Sequence, residues 1–451
     1  MGKDNKLAFV LMLDTSGSMI NCIDMVKIDA KAFVRMARKD DQFAINRFAS
    51  EASWVYPDTK NPQLLTVSSD LNETKKALDY IEKITAGGNT AMGDAIRLGN
   101  AIMKESTVTA DLCAYVILSD GQHNWGSDPV AVLGETPPVY IAALGHISEK
   151  YFKQLTQKNS KSKLYNQPNA YQMMMMFNQI IADSNDNELI LNELDQYQKG
   201  ADYVLKTFQV SSADNAAQVN VVWSDKNYKY TSGIPGGNAI NVVLIDPDNN
   251  NTNIEPDISE NGYCIYNLEN VKPGTWKILI QYSVPTAITG TVGGVDFYTD
   301  IKTNMLLPAG AGTDGPMDIR VSALNGDAVL DNVRVTAQLS QPVMSEADIK
   351  EQYAGKLDAI MQEDSNTDEE KHSSAVLEKL RSEVLKTENK DIFAKQVSTH
   401  TLTLSKDGEY IVQLDGINKS GICNVDIRIE GVNPKTNLPF TRFKSGAFWV
   451  E

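Results

Sequence analysis

The 451-residue sequence is short of several things, and each shortage removes a class of function. Positive charge is scarce: 42 Lys and Arg stand against 58 Asp and Glu, which leaves a formal −16. A chain this acidic repels phosphate backbones and anionic headgroups, so neither nucleic-acid binding nor lipid docking is expected. No apolar run approaches the ~18 residues of a membrane helix, so no membrane insertion is expected. The first six residues, Met1 to Lys6, hold no apolar stretch with a small-residue cleavage site and lead directly into a strand, so no signal peptide is expected there. The four cysteines, Cys22, Cys113, Cys264 and Cys423, lie far apart without metal spacing. They are expected to be free thiols, mostly buried. The four histidines, His123, His146, His372 and His400, include no pair at metal-ligand spacing. No Ser/His/Asp or Cys/His set emerges and no Walker A motif occurs, so no catalytic residue and no nucleotide cofactor are expected.

What is present begins with an alternation of strand and helix patterns over residues 1–185, which predicts a parallel sheet with helices on both faces. Leu7 to Leu13 is a continuous apolar run, as a strand buried on both faces requires. Gln42–Phe48, Ala52–Tyr56, Leu112–Leu118 and Val139–Leu144 read as further strands. Pro168–Ser184 is expected to close the unit as a helix, with Met173 to Met176 as flexible filler against the sheet. A unit that closes in this way is expected to be excisable.

From about residue 186 the apolar period becomes two, and turn residues separate the runs. Residues 186–286 and 287–451 therefore read as two all-β, immunoglobulin-like sandwiches. The second is interrupted from about 345 to 391 by a stretch with 13 acidic and 7 basic residues and two helical apolar stripes, expected as a helical hairpin. Asp246-Pro247-Asp248-Asn249-Asn250 begins like a calcium loop but lacks the required glycine, so a polar hairpin loop is expected.

The chemistry concentrates where the first buried strand ends, in Asp14-Thr15-Ser16-Gly17-Ser18. One carboxylate and two hydroxyls lie two residues apart on a tight strand-to-helix turn, at the end of a parallel strand where open α/β sheets bind ligands. Thr90 follows a Gly87-Gly88 loop, just before a helix, and Asp120 ends another buried strand. These hard oxygens suit Mg²⁺, Mn²⁺ or Ca²⁺ rather than Zn²⁺.

In this order the residues resemble the metal-ion-dependent adhesion site of the von Willebrand factor A family: Asp-x-Ser-x-Ser, a lone Thr, then an Asp before Gly. The resemblance spans roughly residues 5–185 and implies a Rossmann-like α/β domain. Its divalent cation, Mg²⁺ first, would be held by Asp14, Ser16, Ser18, Thr90 and Asp120. One position of the ion would be left for an acidic residue of a partner protein. The succession of an A domain and β domains also resembles the calcium-activated chloride channel regulators and their bacterial relatives. The His-Glu-x-x-His protease motif of those regulators is absent, and Ile20-Asn21-Cys22 stands where β-integrins carry an extra acidic pair. The expectation is a non-enzymatic, metal-dependent protein-binding or adhesion module, secreted or on the cell surface rather than cytoplasmic. The alternative is an intracellular A-domain subunit working with an AAA+ ATPase or a stress-response complex.

Overall fold

The computed structural model describes residues 5–450 apart from 121–122, 135–136, 145–148, 168–171, 212–214, 224, 234, 298, 309–316, 364–372 and 418. The first unit contains β1 (Leu7–Asp14), α1 (Ile23–Arg35), β2 (Gln42–Phe48), β3 (Ala52–Tyr56), β4 (Leu65–Thr66), α2 (Asn72–Glu82) and α3 (Met92–Glu105). It continues with β5 (Leu112–Ser119), α4 (Pro129–Leu133), β6 (Val139–Leu144), α5 (Glu149–Gln157), β7 (Lys163–Gln167) and α6 (Met173–Ser184). The sheet order is β3-β2-β1-β5-β6-β7, with β4 beside β2. Pairing is parallel from β2 through β7, while β3 and β4 run antiparallel to β2.

All eight residues of β1 are buried. Its period of two sends Phe9, Leu11 and Leu13 into one core and Ala8, Val10 and Met12 into the other. The chain steps outward from β1 to β2, returns to β5, and then steps the opposite way. The carboxyl ends of β1 and β5 therefore flank the point where strand order reverses.

The β region supplies β8 (Glu188–Tyr197), β9 (Gly200–Val210), β10 (Asn215–Trp223), β11 (Lys229–Tyr230), β12 (Ala239–Ile245), β13 (Ile258–Glu260), β14 (Tyr263–Val271), β15 (Gly274–Val284) and β16 (Ile288–Asp296). There follow β17 (Ile301–Leu306), β18 (Met317–Asn325), β19 (Ala328–Val329), β20 (Arg334–Pro342), α7 (Glu346–Gln352), α8 (Ala354–Glu363) and α9 (Ser373–Glu388). Last come β21 (Lys395–Thr401), β22 (Thr403–Leu404), β23 (Tyr410–Leu414), β24 (Gly421–Val432) and β25 (Pro439–Val450). The chain between β12 and β13 holds the Asp246 loop, in which Asp246 Oδ1 accepts from the Asp248 and Asn250 amides at 2.9 and 2.8 Å. That is a turn held by its own carboxylate.

One nine-stranded sheet, β13-β14-β10-β16-β8-β25-β24-β20-β21, runs through the whole β region. Its two halves meet where Phe443 of β25 pairs with Leu189 of β8. A four-stranded sheet, β11-β12-β15-β9, covers one half, and the five-stranded sheet of β17, β18, β19, β22 and β23 covers the other. A boundary at 286/287 would open the second sandwich with β16, but β16 lies between β10 and β8 and completes the first.

Where it meets the α/β unit, the nine-stranded sheet is buried on its outer face as well. Cys264 and Tyr266 face the sandwich core, whereas Tyr263 and Ile265 join Phe33, Phe177 and Ile180 of the α/β unit in one continuous core. Helix α6 lies in that layer and is buried on nearly every side, with Met173, Met174 and Met176 packed as filler. Residues 168–171, expected to begin this helix, lie outside the described residues. Gly293 of β16 makes room for α6, because a Cβ there would stand 2.1 Å from Asn178 Nδ2. Asn178 is in turn hydrogen-bonded to Asn192 of β8 and Asn220 of β10.

Charge is buried at the same junction. Lys444 of β25, 5% exposed, reaches Asp183 of α6 and Glu188 of β8, each at 3.5 Å. Burial pushes the Asp183 carboxyl up, but Lys163, Lys444 and the Tyr165 hydroxyl outweigh it and hold the group at about 2. Glu188 also takes the Thr303 amide and hydroxyl, at 2.9 and 2.6 Å.

The α/β unit does not close on itself, since one side of α6 is covered by β8 and β16. Residues 1–185 expressed alone should therefore aggregate or bind a hydrophobic dye. A soluble fragment with a cooperative melt would show that α6 needs no second sheet. Lys444→Met should cost on the order of 3 kcal/mol, because it strands buried carboxylates. Denaturant unfolding checks this, and an unchanged midpoint would mean the pairs are dispensable.

Candidate metal centre

The carboxyl end of β1 presents Asp14, fully buried, and the neighbouring end of β5 presents Ser119 and then Asp120. Both Asp14 oxygens are engaged. Oδ1 accepts the Ser16 amide at 2.9 Å, and Oδ2 accepts the Ser119 hydroxyl at 2.6 Å. A short 3₁₀ turn, Gly17–Asn21, follows Ser16. Ser16 occupies its N-cap position, yet its side chain makes no capping bond. The Ser16 hydroxyl instead lies 3.0 Å from that of Ser18. A serine-rich helix start that served only as a cap would direct the hydroxyl to the turn's amides.

Backbone bonds knit the surrounding loops into a rigid rim. Thr15 donates its amide and hydroxyl to Phe48 O at 2.9 and 3.2 Å, and its carbonyl accepts from Gly87 at 2.8 Å. The Gly17 amide donates to Gly88 O at 3.0 Å. Gly88 sits at φ +84°, where a Cβ would come within 2.6 Å of Ser50 Oγ, so glycine alone fits this crossing. Two residues on, buried Thr90 donates its amide to Asn124 Oδ1 at 2.8 Å. The Asp14 and Thr90 segments are thereby tied together through 15–17 and 87–88.

Exposure rises outward across these residues. Asp14, Ser16 and Thr90 are buried, Asp120 is half-buried and Ser18 is exposed. On the loop after Asp120, the His123 ring meets Tyr151 edge-on at 4.9 Å, and Trp125 is 51% exposed. Sequence reasoning missed Ser119, Ser50 and Asn124. Ser119 carried a signal, since it sits one residue before a carboxylate at a strand's carboxyl end. Ser50 and Asn124 are polar loop residues whose partners only folding brings near.

Burial first, and then the Asp120 charge, raise the Asp14 carboxyl to about 7, against the hydrogen bonds from Ser119 and Ser16. The Cys22 thiol nearby is pushed up to about 11 by burial and by the charges of Asp120 and Asp14. Both groups experience a negative local field. Among the described residues no three His, Cys, Asp or Glu side chains gather at a metal spacing. The oxygens here are two carboxylates and several hydroxyls, a hard set that fits an alkaline-earth cation better than a thiophilic one.

A carboxyl raised in the folded state stabilises the protein below its unfolded value and loses that contribution as pH climbs through about 7. Metal-free protein should therefore gain stability as pH falls from about 7 toward about 4, and Asp14→Asn should flatten that part of the profile. Melting curves in EDTA across this range provide the check. An equal slope in the variant would assign the dependence elsewhere.

The profile of the von Willebrand factor type A domain matches residues 9–122. No curated protein matches the chain. Solved structures with a similar arrangement include a von Willebrand factor type A protein from Catenulispora acidiphila, at 13% identity and a TM-score of 0.37 over 72% of this chain and 64% of that one. PilB minor pilin from Streptococcus sanguinis is 14% identical, with a TM-score of 0.33 over 41% of this chain and 63% of that one. The pilus adhesin SpaC from Lactobacillus rhamnosus GG is 10% identical, with a TM-score of 0.33 over 98% of this chain and 56% of that one. The chain spans less than two thirds of the length of each. The profile match, on a sheet that reverses order between β1 and β5, makes residues 9–122 of this chain a von Willebrand factor type A domain.

Proposed function

We propose that the protein is a non-enzymatic binding module that holds a divalent cation, Mg²⁺ first, at Asp14, Ser16, Ser18, Thr90 and Asp120, and uses it to engage an acidic side chain of a partner protein. The observation that carries this proposal is the hydroxyl pair of Ser16 and Ser18, 3.0 Å apart and unspent on capping, beside buried Asp14. A bound cation would supply Lewis acidity and an open coordination position toward a partner's carboxylate.

The residues of the chain do the rest. Asp14 is oriented by Ser16 and Ser119, so its carboxylate does not need to reorganise on binding. Exposed Ser18 and half-buried Asp120 mark the side from which a partner approaches. Ser16 stands where a phosphotransferase built on Asp14 would want a second acid, which favours binding over turnover. The β region would act as a stalk of immunoglobulin-like sandwiches with a helical insert, and the module would work at the cell surface or outside the cell. No helix among the described residues is long and apolar enough to cross a membrane.

An ion that binds only the native state stabilises it by mass action. Mg²⁺ or Mn²⁺ should raise the melting temperature of the wild type, and Asp14→Ala should abolish the rise while leaving a folded protein. Pull-downs with and without EDTA should then differ in the partner retained. A metal response of equal size in wild type and Asp14→Ala would place the ion elsewhere.

A further inference from the structure

A cavity of about 420 Å³ opens where the α/β unit, the second sandwich and the helical segment meet, and it shares no lining residue with the candidate metal centre. Its walls come from β20, β21, β24 and β25, from β7 of the α/β unit, and from α7 and α9. Its volume and its place at a junction of units are those of small-molecule sites.

Five charged side chains line it: Glu346, Arg381, Asp391, Lys395 and Asp426. Three of them have counter-charges. Arg381 grips Asp391 through bonds of 2.9 and 2.8 Å, and Glu346 pairs with Lys350 at 2.6 Å. Lys395 and Asp426 do not. Lys395 donates to a neutral acceptor, Asn166 Oδ1, at 3.2 Å. Asp426 Oδ1 accepts from a neutral donor, Ser445 Oγ, at 2.7 Å, and Oδ2 has no partner among the described residues.

Strand register places the two on one face. Lys395 of β21 lies opposite Pro342 of β20, and Asp426 of β24 lies opposite Gln338 of β20. Gln338, Ser340 and Pro342 alternate onto the same side of β20, and cross-strand partners share a face. Both residues keep accessible surface there. Each lies within the field of the other, yet the two form no ion pair. Burial pushes the Lys395 amine down to about 8 and the Asp426 carboxyl up, so each charge lacks a counter-charge that would offset its desolvation. A small anion would match Lys395 and be repelled by Asp426, and a small cation would do the reverse. A molecule that carries both charges relieves both. Half-buried Pro342, Met344 and Phe393, with exposed Val397, add apolar surface to the same cavity.

We infer that this cavity binds a zwitterion, a free amino acid with an apolar side chain, its carboxylate on Lys395 and its ammonium on Asp426. The site does not require a cation at Asp14. The test is calorimetry and saturation-transfer NMR on the full chain, with leucine, isoleucine, methionine and phenylalanine at millimolar concentration. At least one should bind, and equally well in EDTA. Its N-acetyl derivative lacks the ammonium and its amide lacks the carboxylate. Each should bind about 10-fold more weakly or worse, the loss expected of a charge-assisted hydrogen bond. Asp426→Asn should bring the amino acid down to the level of its N-acetyl derivative, and Lys395→Met down to the level of its amide. Should either variant fail to fold, the two derivatives decide the matter on the wild type. Silence from all four amino acids, a derivative that binds as tightly as its parent, or unchanged affinity in a folded variant would overturn the assignment.

Discussion

The burial of α6 between two sheets is the constraint on which the rest of this molecule depends. The helix has apolar side chains around most of its circumference, so a single sheet cannot cover it. The α/β sheet takes one side and the nine-stranded sheet takes another. Once the helix is held there, its few polar groups must also be matched. Asn178 finds asparagines on β8 and β10, and Asp183 finds lysines on β7 and β25. The α/β unit and both sandwiches thus meet at one element.

That arrangement fixes the pose of the candidate metal centre. The loops carrying Asp14, Thr90 and Asp120 rise from the carboxyl edge of the α/β sheet, and the β1 beneath them is anchored through its own core to α1 and α6. Lys444 makes the anchor ionic as well as apolar. A lysine at 5% exposure is tolerated only because Asp183 and Glu188 flank it. The last strand of the chain therefore steadies a unit that begins at its other end.

Much of the candidate site was legible in the sequence because its residues are local to strand ends. An apolar run that stops at Asp14 and another that stops at Ser119-Asp120 are patterns a strand period alone exposes. The serine pair was legible by spacing, but its freedom from capping was not. The bracing of Thr90 by Asn124, and of the Asn89 amide just after the glycine loop by Ser50 Oγ, was hidden, because those partners lie 34 and 39 residues from the groups they hold.

By itself the sequence determined the α/β character of the first 185 residues, the edges of Gln42–Phe48 and Val139–Leu144, and the oxygen-rich end of β1. Each of these follows from periodicity or from a short motif, both of which act within one element. Only the tertiary structure decided that β16 belongs to the first sandwich, that one nine-stranded sheet spans both, and that the α/β unit shares its core with it. Strand partners and two-sided burial are non-local. Tyr263 to Tyr266 is an unbroken apolar run, and its alternate residues serve two different cores. A pattern along one strand shows that both faces are buried, but what covers each face depends on chain far away in sequence.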